Sequence, residues 1–274
     1  MWKKLLLVIV SIVIGLFITE LLIRTFSPQR ILYPKWNLVN VVGRENIAEA
    51  VMVHSGPGWE YEYSINSLGH RGDTLLSKIW CIGDSYTFGY GVDTAYADYI
   101  GAVNMGVGGD GLPQETSRFL TYMQRYSYAP EVCILQFCAN DIFNDPYLRY
   151  DPDPPTDLQQ WIANSELLQT SHVYKLATSI IMNPQNYSNN DTPVAVAAYC
   201  AMLDTFSLYL DHNNIRLLFI DVNRQSFQFP ILRGMMDSTY IEYIDTGMQD
   251  PSPEGHAWGQ QAHRNVADSL RKVL

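Results

Sequence analysis

Apolar residues in this chain fall into two alternating rhythms. Mostly apolar runs at Lys78–Ile82, Ala102–Met105, Val132–Phe137 and Arg216–Val222, with a weaker one at Tyr240–Ile244, predict short strands buried on both faces. Between them, Pro113–Tyr126, Val194–Asn213 and Pro253–Leu274 predict helices. The first carries Phe119, Leu120 and Met123 at helical spacing, and the last opens on Ser252-Pro253-Glu254, a helix-start signal with proline in the first turn. Strands alternating with helices predict an α/β fold built on a doubly wound parallel sheet.

One segment fits neither rhythm. After Lys3 and Lys4 the chain is apolar from Leu5 to Ile18 and again from Leu21 to Ile23, interrupted by Thr19-Glu20. That length suits a ~30 Å hydrocarbon core, and no small-x-small cleavage site follows it. Residues 1–26 therefore predict an uncleaved membrane anchor. The paired lysines place its amino end in the cytoplasm and the remainder on the extracytoplasmic side of a cell membrane, as a single-pass protein.

Residues 27–77 are rich in proline, glycine and aromatics and predict an extension packed on the core, with Tyr61–Ile65 alternating like a strand and Asn66–Gly69 as its turn. Residues 78–274 form the main domain. Within it, 146–193 is an insertion, proline-rich at first and amphipathic from Leu158 to Ile181, suited either to a wall over a site or to surface padding.

Composition narrows the partners. The chain is 47% hydrophobic and 17% charged, enough to bury a core, and carries a formal charge of −10. Lys3, Lys4, Arg24 and Arg30 precede the folded part, so the body is more acidic still. Phosphate backbones and anionic headgroups repel such a body, which argues against nucleic acid and against a surface that hugs a membrane. Cys81, Cys133, Cys138 and Cys200 read mostly as small hydrophobes in strand-like runs, a disulfide between some pair remaining open; Cys133 and Cys138 lack metal-ligand spacing, and no metal or cofactor is expected.

The chemistry gathers where strands end. Ile79–Ile82 stops at Gly83-Asp84-Ser85, placing a hydroxyl at the carboxyl edge of a buried strand, where open α/β sheets bind ligands. After the second strand comes Asn104-Met-Gly-Val-Gly-Gly-Asp-Gly111, a backbone able to uncover amide groups, without the Lys-Ser/Thr of a phosphate cradle. The third strand ends in Ala139-Asn140-Asp141. Ser85 N–H, Gly109 N–H and the Asn140 side chain would together form an oxyanion hole, as acyl transfer requires. Ser85-Tyr86-Thr87 lacks the second glycine of a Gly-x-Ser-x-Gly elbow, which disfavours an ordinary α/β-hydrolase.

From Lys78 to the carboxyl terminus these blocks resemble the SGNH, or GDSL, hydrolases. The resemblance implies a flavodoxin-like three-layer fold, with Ser85 as nucleophile and Gly109 and Asn140 as oxyanion donors. Asn66-Ser-Leu-Gly-His-Arg71 also looks like a segment preceding this domain in membrane-anchored bacterial members. The fourth block departs from the family, which closes with Asp-x-x-His or Asp-x-His before a proline. Here Asp250-Pro251-Ser252-Pro253-Glu254-Gly255-His256 puts Asp250 where the His belongs, or else deletes two residues and leaves Asp250 as the family's Asp. Serine needs a base near neutrality, and His256 is the nearest imidazole in the sequence. His256 as base and Asp250 as its orienter complete the expected site. The expected function is an extracytoplasmic serine ester hydrolase acting on a small-molecule, lipid or glycan ester; the alternatives are an impaired relative that binds a glycan or acyl ligand, and an acyltransferase of the same fold.

Overall fold

The structure, a computed structural model, describes residues 2–34, 37–39, 43–142, 156–181, 192–236, 241–245 and 250–274. The amino-terminal part contributes strands β1 (Ile31–Tyr33), β2 (Asn37–Val39), β3 (Gly43–Glu45), β4 (Val51–Gly56) and β5 (Trp59–Ser64). The main domain contributes β6 (Ile79–Ile82), β7 (Val103–Asn104), β8 (Val132–Phe137), β9 (Arg216–Asp221) and β10 (Glu242–Ile244). Tyr240, the start of the weakest predicted strand, lies outside the described residues.

The main sheet is parallel throughout, in the order β7-β6-β8-β9-β10. Period-two alternation explains why these strands read as mostly apolar runs. Trp80 and Ile82 of β6, Cys133, Leu135 and Phe137 of β8, and Leu217 and Phe219 of β9 face one core, shared with the helices Leu112–Tyr126 and Thr192–His212. Cys81, Ile134, Leu218 and Ile220 face a second core, closed by Tyr96–Tyr99 and by Gln260–Arg271 with Ala262, Val266 and Leu270. The result is the three-layer, doubly wound arrangement expected from the sequence. Strand order reverses direction at β6, which makes its carboxyl end the topological switch point.

The last helix starts later than predicted, at Gln260 rather than Pro253. Ser252 N–H donates to His256 O and Gly255 N–H to Ser252 O, so Ser252–His256 closes on itself as a loop before helix can begin. All four cysteines are free and buried, so the disulfide left open by the sequence does not form in this structure.

The strands β1, β4 and β5 form a small antiparallel sheet. Leu32, Met52 and Tyr63 from it, with Ile65 just beyond β5, pack on Phe88 and Tyr90, in the turn that follows Ser85. The Asn66–Arg71 segment acts as a brace. Asn66 Oδ1 accepts from Leu68 N–H and His70 N–H, which shapes the turn, and buried Arg71 donates to the carbonyls of Phe88, Gly89, Val92 and Asp93. Asn46 Nδ2 adds bonds to Gly69 O and Gly106 O, both 3.2 Å.

The helix Trp2–Phe26 has no buried residue and is long and apolar enough to cross a membrane. Pro193–His212 meets the same criterion of length and composition, but Ala195, Tyr199, Leu203, Phe206 and Leu210 are buried against the sheet. The described helices of the insertion, Asp157–Asn164, Glu166–Gln169 and His172–Ile181, pack against β2, β1 and the apolar helix respectively. The rest of the insertion, 146–155 and 182–191, lies outside the described residues.

Candidate active site

Ser85 opens a one-turn helix, Ser85–Phe88, at the carboxyl end of β6. Asp84 caps it, its Oδ1 accepting from Tyr86 N–H at 2.9 Å. Gln136, reaching over from β8, holds the same turn by accepting from Asp84 N–H (3.3 Å), Thr87 N–H (3.1 Å) and Thr87 Oγ1 (3.0 Å). The hydroxyl of Ser85 is thus carried on a turn pinned from the neighbouring strand, half-buried and open to solvent.

His256 reaches it. Its Nε2 lies 2.8 Å from Ser85 Oγ, across 171 residues of chain. Its Nδ1 lies 2.5 and 2.6 Å from the two carboxylate oxygens of Glu254, and its own N–H donates to Glu254 Oε2 at 3.1 Å. A carboxylate only accepts, so Nδ1 carries the proton and Nε2 is left to accept from the serine hydroxyl. Tyr86 stands edge-on to the imidazole, with ring centroids 4.9 Å apart, and Tyr90 lies 6.0 Å away on another side.

Glu254 replaces Asp250 as the group behind His256, which corrects the expectation drawn from the sequence. Asp250 Oδ2 instead accepts from Gln261 N–H (2.9 Å) and Ala262 N–H (3.3 Å), serving the exposed amides at the start of the last helix. The fourth block is therefore Glu-x-His. A carboxylate two residues before the only nearby His was the signal available in the sequence, and the longer side chain of Glu lets it fold back on the ring. Glu254 is 4% exposed. Burial works to raise its pKa, but the hydrogen bond from His256, the positive charge that imidazole takes on when protonated and Arg30 together leave it lowered, so it stays ionised. Arg30, from the amino-terminal part, donates to Glu254 O and lies 3.7 Å from its Oε2.

The three proposed oxyanion donors come from three strand ends. Gly109 and Asn140 are exposed and Ser85 is half-buried. Asn140 Nδ2 donates to Asp84 Oδ2 at 3.2 Å, and the same oxygen lies 3.4 Å from Ser85 Oγ, so Asp84 ties the third block to the first. An amide nitrogen has two protons, and this bond uses one. Asn104 ties in the second block: its Nδ2 donates to Thr87 O at 2.9 Å and its Oδ1 accepts from Gly106 N–H at 3.1 Å. A Cβ on Gly106 would run into the backbone of Phe88, and Gly109 has φ +83°, so glycine is required at both.

The other histidines are held elsewhere. His70 packs edge-on to Tyr122, and His263 Nδ1 accepts from Tyr96 N–H; burial, reinforced by nearby positive charge, pushes both down to about 3. His172 Nδ1 accepts from Gln29 N–H at 2.8 Å, and His54 pairs with Tyr63 Oη at 3.1 Å.

No protein-family model matches the chain, and no curated protein does. Solved structures do. The chain is similar to a protein assigned to the lipolytic G-D-S-L family from Desulfitobacterium hafniense, at 13% identity and TM-score 0.44, covering 72% of this chain and 98% of that one. It is also similar to a GDSL-like lipase from Bacteroides thetaiotaomicron, at 11% identity and TM-score 0.43, covering 74% and 91%.

Proposed function

We propose that this chain is a serine ester hydrolase of the SGNH type, held by its amino-terminal helix in a membrane with the catalytic domain on the extracytoplasmic side. The observation that carries the reading is the continuous relay from Glu254 through His256 to Ser85 Oγ. A non-catalytic binding relative has no need of an imidazole on the serine hydroxyl with an ionised carboxylate behind it. The relay is the arrangement that an impaired fourth block would lack.

In this reading Ser85 Oγ attacks the ester carbonyl while His256 Nε2 takes its proton. Glu254 holds the ring in the required tautomer and stabilises the imidazolium. The developing oxyanion is met by Ser85 N–H, Gly109 N–H and the second proton of Asn140 Nδ2. His256 then returns the proton to the departing alcohol, and water, activated by the same ring, releases the acyl group from Ser85. The substrate is a small ester whose acyl or alcohol part is lipid, glycan or neither.

A serine-reactive fluorophosphonate tests it. Folded wild type should label on Ser85, and Ser85→Ala and His256→Ala should not. Absence of labelling in the wild-type protein would sink the enzyme reading.

A further inference from the structure

Glu20 sits inside the apolar helix, which is costly for a carboxylate unless donors surround it. Three do. Glu20 accepts from Ser171 Oγ, His172 N–H and Val173 N–H, each at 2.9 Å, and so caps the helix His172–Ile181. Arg24 Nη2 lies 3.8 Å from the same carboxylate. A cleft between the two elements is lined by Leu16, Phe17, Glu20 and Arg24 on one side and by Leu167, Thr170, Ser171 and Val173 on the other.

The apolar helix is also a ruler of depth. Leu5 to Ile23 spans about 28 Å at 1.5 Å per residue, close to the hydrocarbon thickness of a bilayer. Leu16 then lies about 10 Å, and Glu20 about 5 Å, inside the outer edge of that layer. Whatever packs beside Leu16 to Arg24 shares their depth. Insertion residues do, and the insertion has large apolar side chains turned outward: Leu158 is 64% exposed, Trp161 61%, Leu167 79% and Ile180 71%. Its Asp, Glu, Lys and Arg residues between 157 and 181 are only Asp157, Glu166 and Lys175, so this segment does not share the acidity of the body. Its backbone is mostly in helices, one capped by Ser165, as a segment leaving water requires.

We propose that the helical part of the insertion, residues 157–181, is seated in the outer leaflet of the same bilayer that holds the anchor, with Leu167 and Ile180 in contact with acyl chains and Trp161 at the interface. Glu20 is the clasp that sets its depth. The occupant of these apolar side chains is lipid, because Leu167 and Val173 line one cleft with Leu16 and Phe17 of the anchor helix and the helix His172–Ile181 packs on that anchor. The inference rests on the anchor reading of residues 1–26.

Single cysteines at Leu167, Ile180, Ile12 and Val51 of the full chain, each carrying a nitroxide and reconstituted in phosphatidylcholine vesicles, test it by accessibility to oxygen and to a nickel chelate. The native cysteines are all buried, leaving the introduced thiol as the reactive one. Expected is a lipid-phase signature, high oxygen and low nickel access, at Leu167 and Ile180 as at Ile12, with Val51 aqueous. Glu20→Ala should move Leu167 toward the aqueous signature while Ile12 stays in lipid. Aqueous probes at Leu167 and Ile180 with Ile12 in lipid would overturn the seating and leave the anchor standing, as would probes shielded from both reagents, which indicate a protein partner. An aqueous Ile12 would overturn the anchor reading itself, and the seating with it.

Discussion

Glu254 bonds to Nδ1 of His256, two residues away, and both of its oxygens come within 2.6 Å of that nitrogen. Asp250, the other acid of the same loop, has turned to the amides of Gln261 and Ala262. The two carboxylates have separate work, and substitution should separate them. Glu254→Gln removes the charge that favours the imidazolium and offers a donor to a nitrogen that already carries a proton. We expect the rate of fluorophosphonate labelling and of ester hydrolysis to fall by about 10²–10⁴. Asp250→Ala should leave the rate within a few-fold and instead cost about 1 kcal/mol of stability, read as a lower melting temperature. The reverse pattern would return Asp250 to the site.

Asn140→Ala removes a single donor from the proposed oxyanion hole. The expected loss is about 10²–10³ in kcat with KM little changed, because the bond strengthens only as charge develops on the oxygen. Circular dichroism should stay unaltered, since Asn140 is exposed.

Arg71 should matter through structure. Its guanidinium supplies four backbone carbonyls around the turn after Ser85, and Arg71→Met takes that donor from the three buried ones, of Phe88, Gly89 and Val92. At about 1–3 kcal/mol for each acceptor left unpaired, a loss of 3 kcal/mol or more is expected. For a domain of this size that is about 6–12 °C in melting temperature, measurable by scanning calorimetry in detergent.

His263 predicts an acid limit to stability. It is buried and neutral, its pKa pushed down to about 3 chiefly by burial, whereas in the unfolded chain it titrates near 6.5. Between those values the unfolded state binds the extra proton, so the stability from neutral His263 is complete above about 6.5 and is lost as pH falls below it. His70 behaves alike. His263→Asn keeps an acceptor for Tyr96 N–H and removes the titration. Urea unfolding between pH 4 and 6 should then show a slope smaller by about one proton, or about 1.4 kcal/mol per pH unit.

Much of the site was legible locally. Buried parallel strands need apolar residues on both faces, so β6, β8 and β9 appear as mostly apolar runs, and the residues just beyond the first two, Ser85 and Asn140, stand out. Gly106 and Gly109 were marked by a density of glycine that only a close backbone approach and a positive φ require. The fourth block was not legible in the same way. Proline and serine after Asp250 resemble both a family motif and a helix start, and composition does not distinguish a closed loop from the first turn of a helix.

The linear order of residues, then, determined the layered α/β architecture, the carboxyl-edge position of Ser85, the glycine loop beside it and the apolar span before it all. These follow from periodicity and backbone sterics, which act over a few residues. Tertiary structure alone decided which carboxylate backs His256, whether that ring reaches Ser85, what Arg71 braces and where Glu20 finds its donors. Each of those depends on groups brought within about 3 Å from distant parts of the chain or from the far side of a loop, and hydrogen-bond energy at that range depends on distance and angle, which sequence spacing does not encode.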